Sequence, residues 1–330
     1  MAANRPANST DASGSSAVLA AFRVGRYGAE PNGMRVVADQ LEQKSAASLA
    51  RDVLSLTKPR LSSLVLFTCA GGMWLSGLEL PAHLWAVTLL ATAGTVGAAN
   101  AFNCFLERES DRHMARTAVR PLPAGRMDPS FALLFAISLT VTSVPALFLG
   151  AGPVPGALGL LALVSYVLAY TPLKPRTHWA MVVGALPGAL PPLMGWAAAT
   201  GRVSAGGLAL FAILFVWQLP HFIAIALFRK EEYRNAGLKS LPLEHGDRAA
   251  WRWAVAYLVV LVPVSALPYL VGVAGVGYFI AAVVFSTAFL AVGVRGWLTG
   301  QTTAQARKLF GASLLYLLAL FVLLGLDASF

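Results

Sequence analysis

Nine apolar segments, each about as long as a helix must be to cross the hydrocarbon core of a bilayer, dominate this chain. They lie near residues 61–78, 83–106, 130–150, 154–171, 179–199, 206–228, 252–270, 273–294 and 308–326. In lipid the backbone must satisfy its own polar groups, so runs of this length read as helices. Composition agrees, because only 12% of residues are charged, about half the share in an ordinary soluble domain. The expected fold is all-α, a polytopic integral membrane bundle of nine transmembrane helices. Pro175, Pro187, Pro191 and Pro192 crowd the fourth and fifth segments. Membrane helices tolerate proline where neighbours satisfy the freed carbonyls.

The basic residues orient the bundle. With the N-terminus cytoplasmic, 24 of the 25 Lys and Arg fall on one side and only Arg202 on the other. Basic residues concentrate in cytoplasmic loops, so the topology is N-in, C-out, in the cell's inner (cytoplasmic) membrane. The +10 charge sits in these loops and forms no nucleic-acid-binding pattern. Cys69 and Cys104 lie inside apolar segments, where each reads as a small buried hydrophobe with no disulfide framework. Residues 1–48 read as an N-terminal extension and 49–330 as the bundle domain. Met1 to Ser16 is rich in Ala, Ser and Asn and reads as disordered. Val36 to Leu56 has apolar residues at loosely helical spacing and reads as a surface helix. A transit peptide, and with it a mitochondrial inner membrane, is the alternative address, with Asp11 and Glu30 against it.

Two long polar loops, Glu107–Asp128 and Arg229–Arg252, share the basic side. Arg120-Pro121-Leu122-Pro123 in one resembles Lys239-Ser240-Leu241-Pro242 in the other. This weak repeat implies two half-bundles whose polar caps meet over one cavity. Before the first loop, Asn100, Asn103, Glu107 and Asp111 fall on one helix face, within roughly 80°. Carboxylates at a membrane boundary are costly unless paired or bound to a cation. One reading is a Mg²⁺–diphosphate site on Glu107 and Asp111, since a hard cation takes carboxylate and phosphate oxygens. Arg116 and Arg120 would then fold back onto phosphate oxygens. The other reading is an interfacial helix end whose acids pair with nearby arginines.

The run from Asn103 to Leu122 resembles the first signature of the UbiA superfamily of intramembrane prenyltransferases. An Asn is followed four residues on by an acid, then by Asp111, then by Arg116-Thr117 and Arg120-Pro121. Most members carry Asp at the middle position; Glu107 keeps the charge and reaches further. Lys58-Pro59-Arg60 resembles the superfamily's entry motif, and Tyr170 to Lys174 its Tyr…Lys motif. By spacing alone that pair is equally an interfacial aromatic beside a snorkelling lysine. The usual second Asp-x-x-x-Asp motif is missing from the sixth segment. Gln218, His221, Arg229 and Glu232 share one helix face there instead. This version, with Pro191-Pro192, Gly195-Trp196 and Leu241-Pro242, resembles the branch of the superfamily that farnesylates haem. The resemblance covers roughly residues 55–325. It departs at 175–180, where the family is more basic and carries an Asn near Ala180.

The resemblance implies a prenyltransferase that moves farnesyl from farnesyl diphosphate to a vinyl group of haem B. The products are haem O and diphosphate, with Mg²⁺ as cofactor and haem A synthase as a partner by pathway logic. It implies that Asn103, Glu107 and Asp111 hold a metal–diphosphate and that Glu232 serves a second metal. Lys58, Arg116, Arg120, Tyr170, Lys174 and Arg229 would bind the diphosphate, and His221 with Gln218 the haem. Read without the family, His221 is equally a buried histidine bonded to Gln218 or a carbonyl. A quinone precursor or chlorophyllide is the rival acceptor, though enzymes of that kind normally show the second aspartate pair. A haem or lipid transporter is the rival class, but it calls for ionisable groups at mid-membrane, and the segments hold almost none. A phosphatase reporter fused after Phe330 is expected to be active outside the cell, and one fused after Arg252 silent. The reverse pattern would overturn the orientation.

Overall fold

The computed structural model describes residues 46–328. The chain divides into two units, Met1–Ala50 and Arg51–Phe330, and the account below concerns the second. Residues 46–56 are helical. The earlier part of the expected surface helix, from Val36, lies outside the described residues, as does the expected disordered start.

Among the described residues nine long helices follow: α1 (Pro59–Trp74), α2 (Ala82–Leu106), α3 (Pro129–Ala151), α4 (Pro153–Leu173), α5 (Ala180–Thr200), α6 (Ala205–Phe228), α7 (Asp247–Leu270), α8 (Val276–Leu298) and α9 (Thr303–Leu326). They coincide with the nine apolar segments. Eight of them, α2 to α9, are long and apolar enough to cross a membrane. Helix α1 has 16 residues, about 24 Å of rise, and falls short of the hydrocarbon thickness.

Helices α5 and α6 form the centre. Their most apolar windows are 72% and 56% buried, against 28–39% for the other spanning helices. Helix α5 packs against α1, α4 and α6, while α6 packs against α7 and α9. The centre is possible because α5 is built from small residues and proline. A Cβ on Gly195 would lie 1.9 Å from the Cys69 carbonyl oxygen, and one on Gly72 would lie 2.0 Å from that of Pro192. The α1 and α5 backbones therefore touch, as small residues permit in membrane bundles.

Two helices widen by a π-turn, at Leu147–Ala151 in α3 and at Ser165–Tyr170 in α4. Such turns leave carbonyls in need of new donors. In α4 the Thr171 hydroxyl donates to the Tyr166 carbonyl at 2.9 Å. The second π-turn carries Tyr166 and Tyr170, with ring centroids 5.2 Å apart, and the Tyr170 ring lies against Gly184 of α5.

Gly195→Val is expected to destabilise the detergent-solubilised protein by about 2–3 kcal/mol, because backbone must yield. A thermal unfolding midpoint equal to the parent's would contradict the close crossing.

Candidate active site

Helix α2 ends at Leu106, and a short helix, Arg108–Asp111, follows at once. The Asp111 N–H still donates to the Glu107 carbonyl at 2.8 Å. The helical register thus carries past the break, and Asn103, Glu107 and Asp111 converge on one polar cavity of about 240 Å³. Asn103 and Asp111 are each only 1% exposed.

Each of the three oxygen groups meets a cation from a different segment. Lys58 Nζ donates to Asn103 Oδ1 at 2.6 Å. Lys174 Nζ donates to Glu107 Oε1 at 2.6 Å. Arg120 Nη1 donates to Asp111 Oδ2 at 2.7 Å. Lys58 reaches its partner from a left-handed backbone (φ 48°, ψ 63°) just before α1, a conformation that costs a non-glycine residue about 1–2 kcal/mol. Burial pushes its ammonium down to about 8. Burial also opposes charge on Lys174, but Tyr170 and the Glu107 carboxylate outweigh it and hold that lysine well above its ordinary value. The Lys174 ammonium stands 4.4 Å from the centre of the Tyr170 ring, a cation–π contact.

A second, apolar cavity of about 350 Å³ lies between the helices. Leu61, Tyr166, Tyr170 and Phe222 line both cavities, and we call the place where the cavities adjoin the neck. Gln218 and His221 line the apolar one. Gln218 donates to the Leu214 carbonyl at 2.9 Å, and His221 bonds Ser313 rather than Gln218.

Of the residues singled out in the sequence, Lys58, Asn103, Glu107, Asp111, Arg116, Arg120, Tyr170 and Lys174 all line the polar cavity. Arg229 and Glu232 line neither cavity among the described residues. Their side chains bond each other, and Glu232 Oε2 is buried with no described partner. Helix α6 ends at Phe228. Arg229 leaves helical geometry (φ −111°, ψ 19°), and the chain restarts as Lys230–Asn235. Tyr233, Lys239 and Ser240 supply the cavity wall instead. The loop repeat around Lys239 was the one signal for them. The Lys239 N–H closes the wall by donating to the Lys174 carbonyl at 2.8 Å.

His178 also lines this cavity, and reading by motif missed it. Its ring and its backbone N–H both bond the Glu244 carboxylate. Burial pushes that carboxyl up, but the bonds from His178 outweigh burial and hold it below the usual range.

Known proteins resemble this chain. The model of the UbiA prenyltransferase family matches residues 64–321. A protoheme IX farnesyltransferase of Myxococcus xanthus is 58% identical over 288 residues, covering 86% of this chain and 97% of that protein. One from Anaeromyxobacter dehalogenans is 48% identical, covering 84% and 94%. Among solved structures, a digeranylgeranylglyceryl phosphate synthase aligns with a TM-score of 0.73 at 18% identity, covering 84% of this chain and 98% of that one. A UbiA homolog from Archaeoglobus fulgidus bound to DMAPP and Mg²⁺ aligns with a TM-score of 0.63 at 16% identity, covering 83% and 99%. These two establish likeness of fold.

The lowered Glu244 carboxyl contributes stability that is present above the ordinary carboxylate pKa and is lost as pH falls through the lowered value. Acidification is therefore expected to lower the unfolding midpoint of the parent more than that of Glu244→Gln. The difference should be about 1 kcal/mol or less, since the pair is partly solvated. Equal acid sensitivity would contradict it.

Proposed function

The chain belongs to the UbiA prenyltransferase family, and we propose that it transfers a farnesyl group from farnesyl diphosphate to the vinyl group of haem B, giving haem O and diphosphate. One observation carries the reading. A cavity walled by cations and acids adjoins a larger apolar cavity, and Leu61, Tyr166, Tyr170 and Phe222 line both. A substrate with a diphosphate head, an allylic bond and a long hydrocarbon tail fits that sequence of environments. The relatives named above act on protoheme IX, and the apolar cavity offers the space and surface a porphyrin edge requires.

The donor set suits a hard divalent cation. Asn103, Glu107 and Asp111 offer only oxygen and share the polar cavity, the ligand chemistry Mg²⁺ prefers beside phosphate. Mg²⁺ bound there would offset the charge that grows on diphosphate as the allylic C–O bond breaks. Lys58, Lys174 and Arg120 now bond these same oxygens. An entering diphosphate gives the three cations phosphate partners and frees the oxygens for the metal. Arg116 and Tyr170 complete the diphosphate's surroundings. The guanidinium groups suit phosphate because their planar forks can bond two oxygens at once. Glu232 and Arg229, bonded to each other away from the cavity walls, take no direct part in this arrangement.

The neck sets where chemistry occurs. The head is held among charges while the allylic carbon reaches Tyr166, Tyr170 and Phe222. The aromatic surroundings there keep water from the developing cation. Gln218 and His221 face the acceptor. Bacterial relatives and the one-sided basic loops support a cytoplasmic membrane location, with the polar cavity on the cytoplasmic side.

Membranes holding the protein are expected to convert haem B and farnesyl diphosphate to haem O in a Mg²⁺-dependent manner. Glu107→Ala and Asp111→Ala should each lower that rate about a hundredfold. Prenylation of a quinone precursor in place of haem would overturn the acceptor and keep the reaction class. Unchanged activity in both variants would remove the diphosphate site.

A further inference from the structure

The transfer to a vinyl group leaves a chemical requirement that the diphosphate site does not meet. New C–C bonding uses the vinyl electron pair, and the allylic C–O pair departs with diphosphate. A cation remains on the vinyl carbon attached to the porphyrin. Water closes it by forming a C–O bond, and the protonated alcohol must then lose a proton to a base in the apolar cavity. No carboxylate lines that cavity among the described residues.

His221 is the one imidazole there, and its hydrogen bonds fix which nitrogen is free. The Ser313 hydroxyl donates to the Phe310 carbonyl at 2.6 Å. With that proton on the Phe310 carbonyl, the 2.7 Å contact between His221 Nδ1 and Ser313 Oγ runs from Nδ1–H to the serine oxygen. In that arrangement the neutral ring carries its proton on Nδ1 and a lone pair on Nε2. No described residue bonds Nε2. The ring is also held in place. Trp217 stacks on it at 4.9 Å and 24°, and Phe310 lies 4.9 Å away at 30°. Trp217 is itself fixed by donating to the Ser313 carbonyl at 2.8 Å. Stacking on both sides fixes the plane of the imidazole. His221 lines the apolar cavity, and the next residue, Phe222, lines both cavities.

Resting on the haem-farnesylation reading, we propose that His221 Nε2 is the general base that takes the proton from the water adding to the haem-side cation, with Ser313 setting the tautomer. The water O–H bond breaks as Nε2 gains the proton, Nδ1–H continues to donate to Ser313, and no oxidant or reductant enters. The protonated alcohol is a strong acid, so a free, well-placed imidazole lone pair suffices.

The test uses the full-length protein in membranes with farnesyl diphosphate, haem B and Mg²⁺. Diphosphate release and haem products are measured separately, the products by mass. In His221→Ala, hydroxylated product per diphosphate released is expected to fall at least about tenfold. A farnesylated haem lighter by one water should appear as the cation loses a carbon-bound proton instead. Ser313→Ala, which frees the tautomer, should shift the ratio the same way, and Ser313→Thr should restore it. The serine pair decides the matter where the His221 variant fails to fold. An unchanged ratio in His221→Ala, or an equal loss of diphosphate and product, would overturn the proposal. So would a changed spectrum of the haem-loaded variant, which would make His221 an iron ligand. A parent protein that forms no haem adduct at all would overturn the underlying haem reading instead.

Discussion

Asn103, Glu107 and Asp111 stand one turn apart along a single stretch of chain, and each is held by a cation from somewhere else. Lys58 comes from the approach to α1, Lys174 from the end of α4, and Arg120 from the loop after α2. Buried ion pairs seldom add net stability over apolar packing, yet losing one partner is costly. These pairs are therefore poorly explained as mere staples. Their value is that they gather like charges into one small space before a highly charged ligand arrives. Glu107 and Asp111 keep Lys174 and Arg120 in place and are themselves paired by them, while the neutral amide of Asn103 holds Lys58. The left-handed backbone at Lys58 belongs to the same economy, because backbone strain commonly persists where the surroundings hold a functional group in position.

The bundle serves that cluster by keeping two environments apart. Glycines let α1 and α5 approach to backbone contact, and this leaves the large side chains of α4 and α6 to shape the space beside them. The π-turn of α4 carries Tyr166 and Tyr170 into the neck. On one side of the neck the walls carry the charged groups; on the other they are apolar, apart from a few hydroxyls, Asn100, Gln218 and His221. A substrate with two unlike ends is oriented by this contrast alone, since neither end is stable in the other's surroundings.

Much of the site could be read from residue order. The acid ladder survived the break after Leu106 because the next hydrogen bond kept its register. The break at Arg229 keeps its register in the same way, through the Tyr233 N–H bond to the Arg229 carbonyl. There the Glu232 side chain turns to Arg229 and Tyr233 lines the cavity wall. Both segments look helical by periodicity, and it is the partner of each side chain that separates them. His178 escaped notice because its role depends on Glu244, a residue sixty-six positions away. His221 was visible as a residue of interest, but its tautomer rests on Ser313 and Phe310 of α9.

By itself the amino-acid order determined the helical segments, their apolar character, the clustering of basic residues in the loops between them, and the family motifs on α2 and α4. Those are local properties: a span needs a run of apolar residues, and a ladder needs a period of about 3.6. Only the tertiary structure decided that α1 is too short to match its neighbours as a span, that α5 and α6 lie at the centre, which cation meets which acid, and where the polar cavity adjoins the apolar one. Those follow from contacts between residues far apart in the chain, whose closeness depends on shape as well as chemical type.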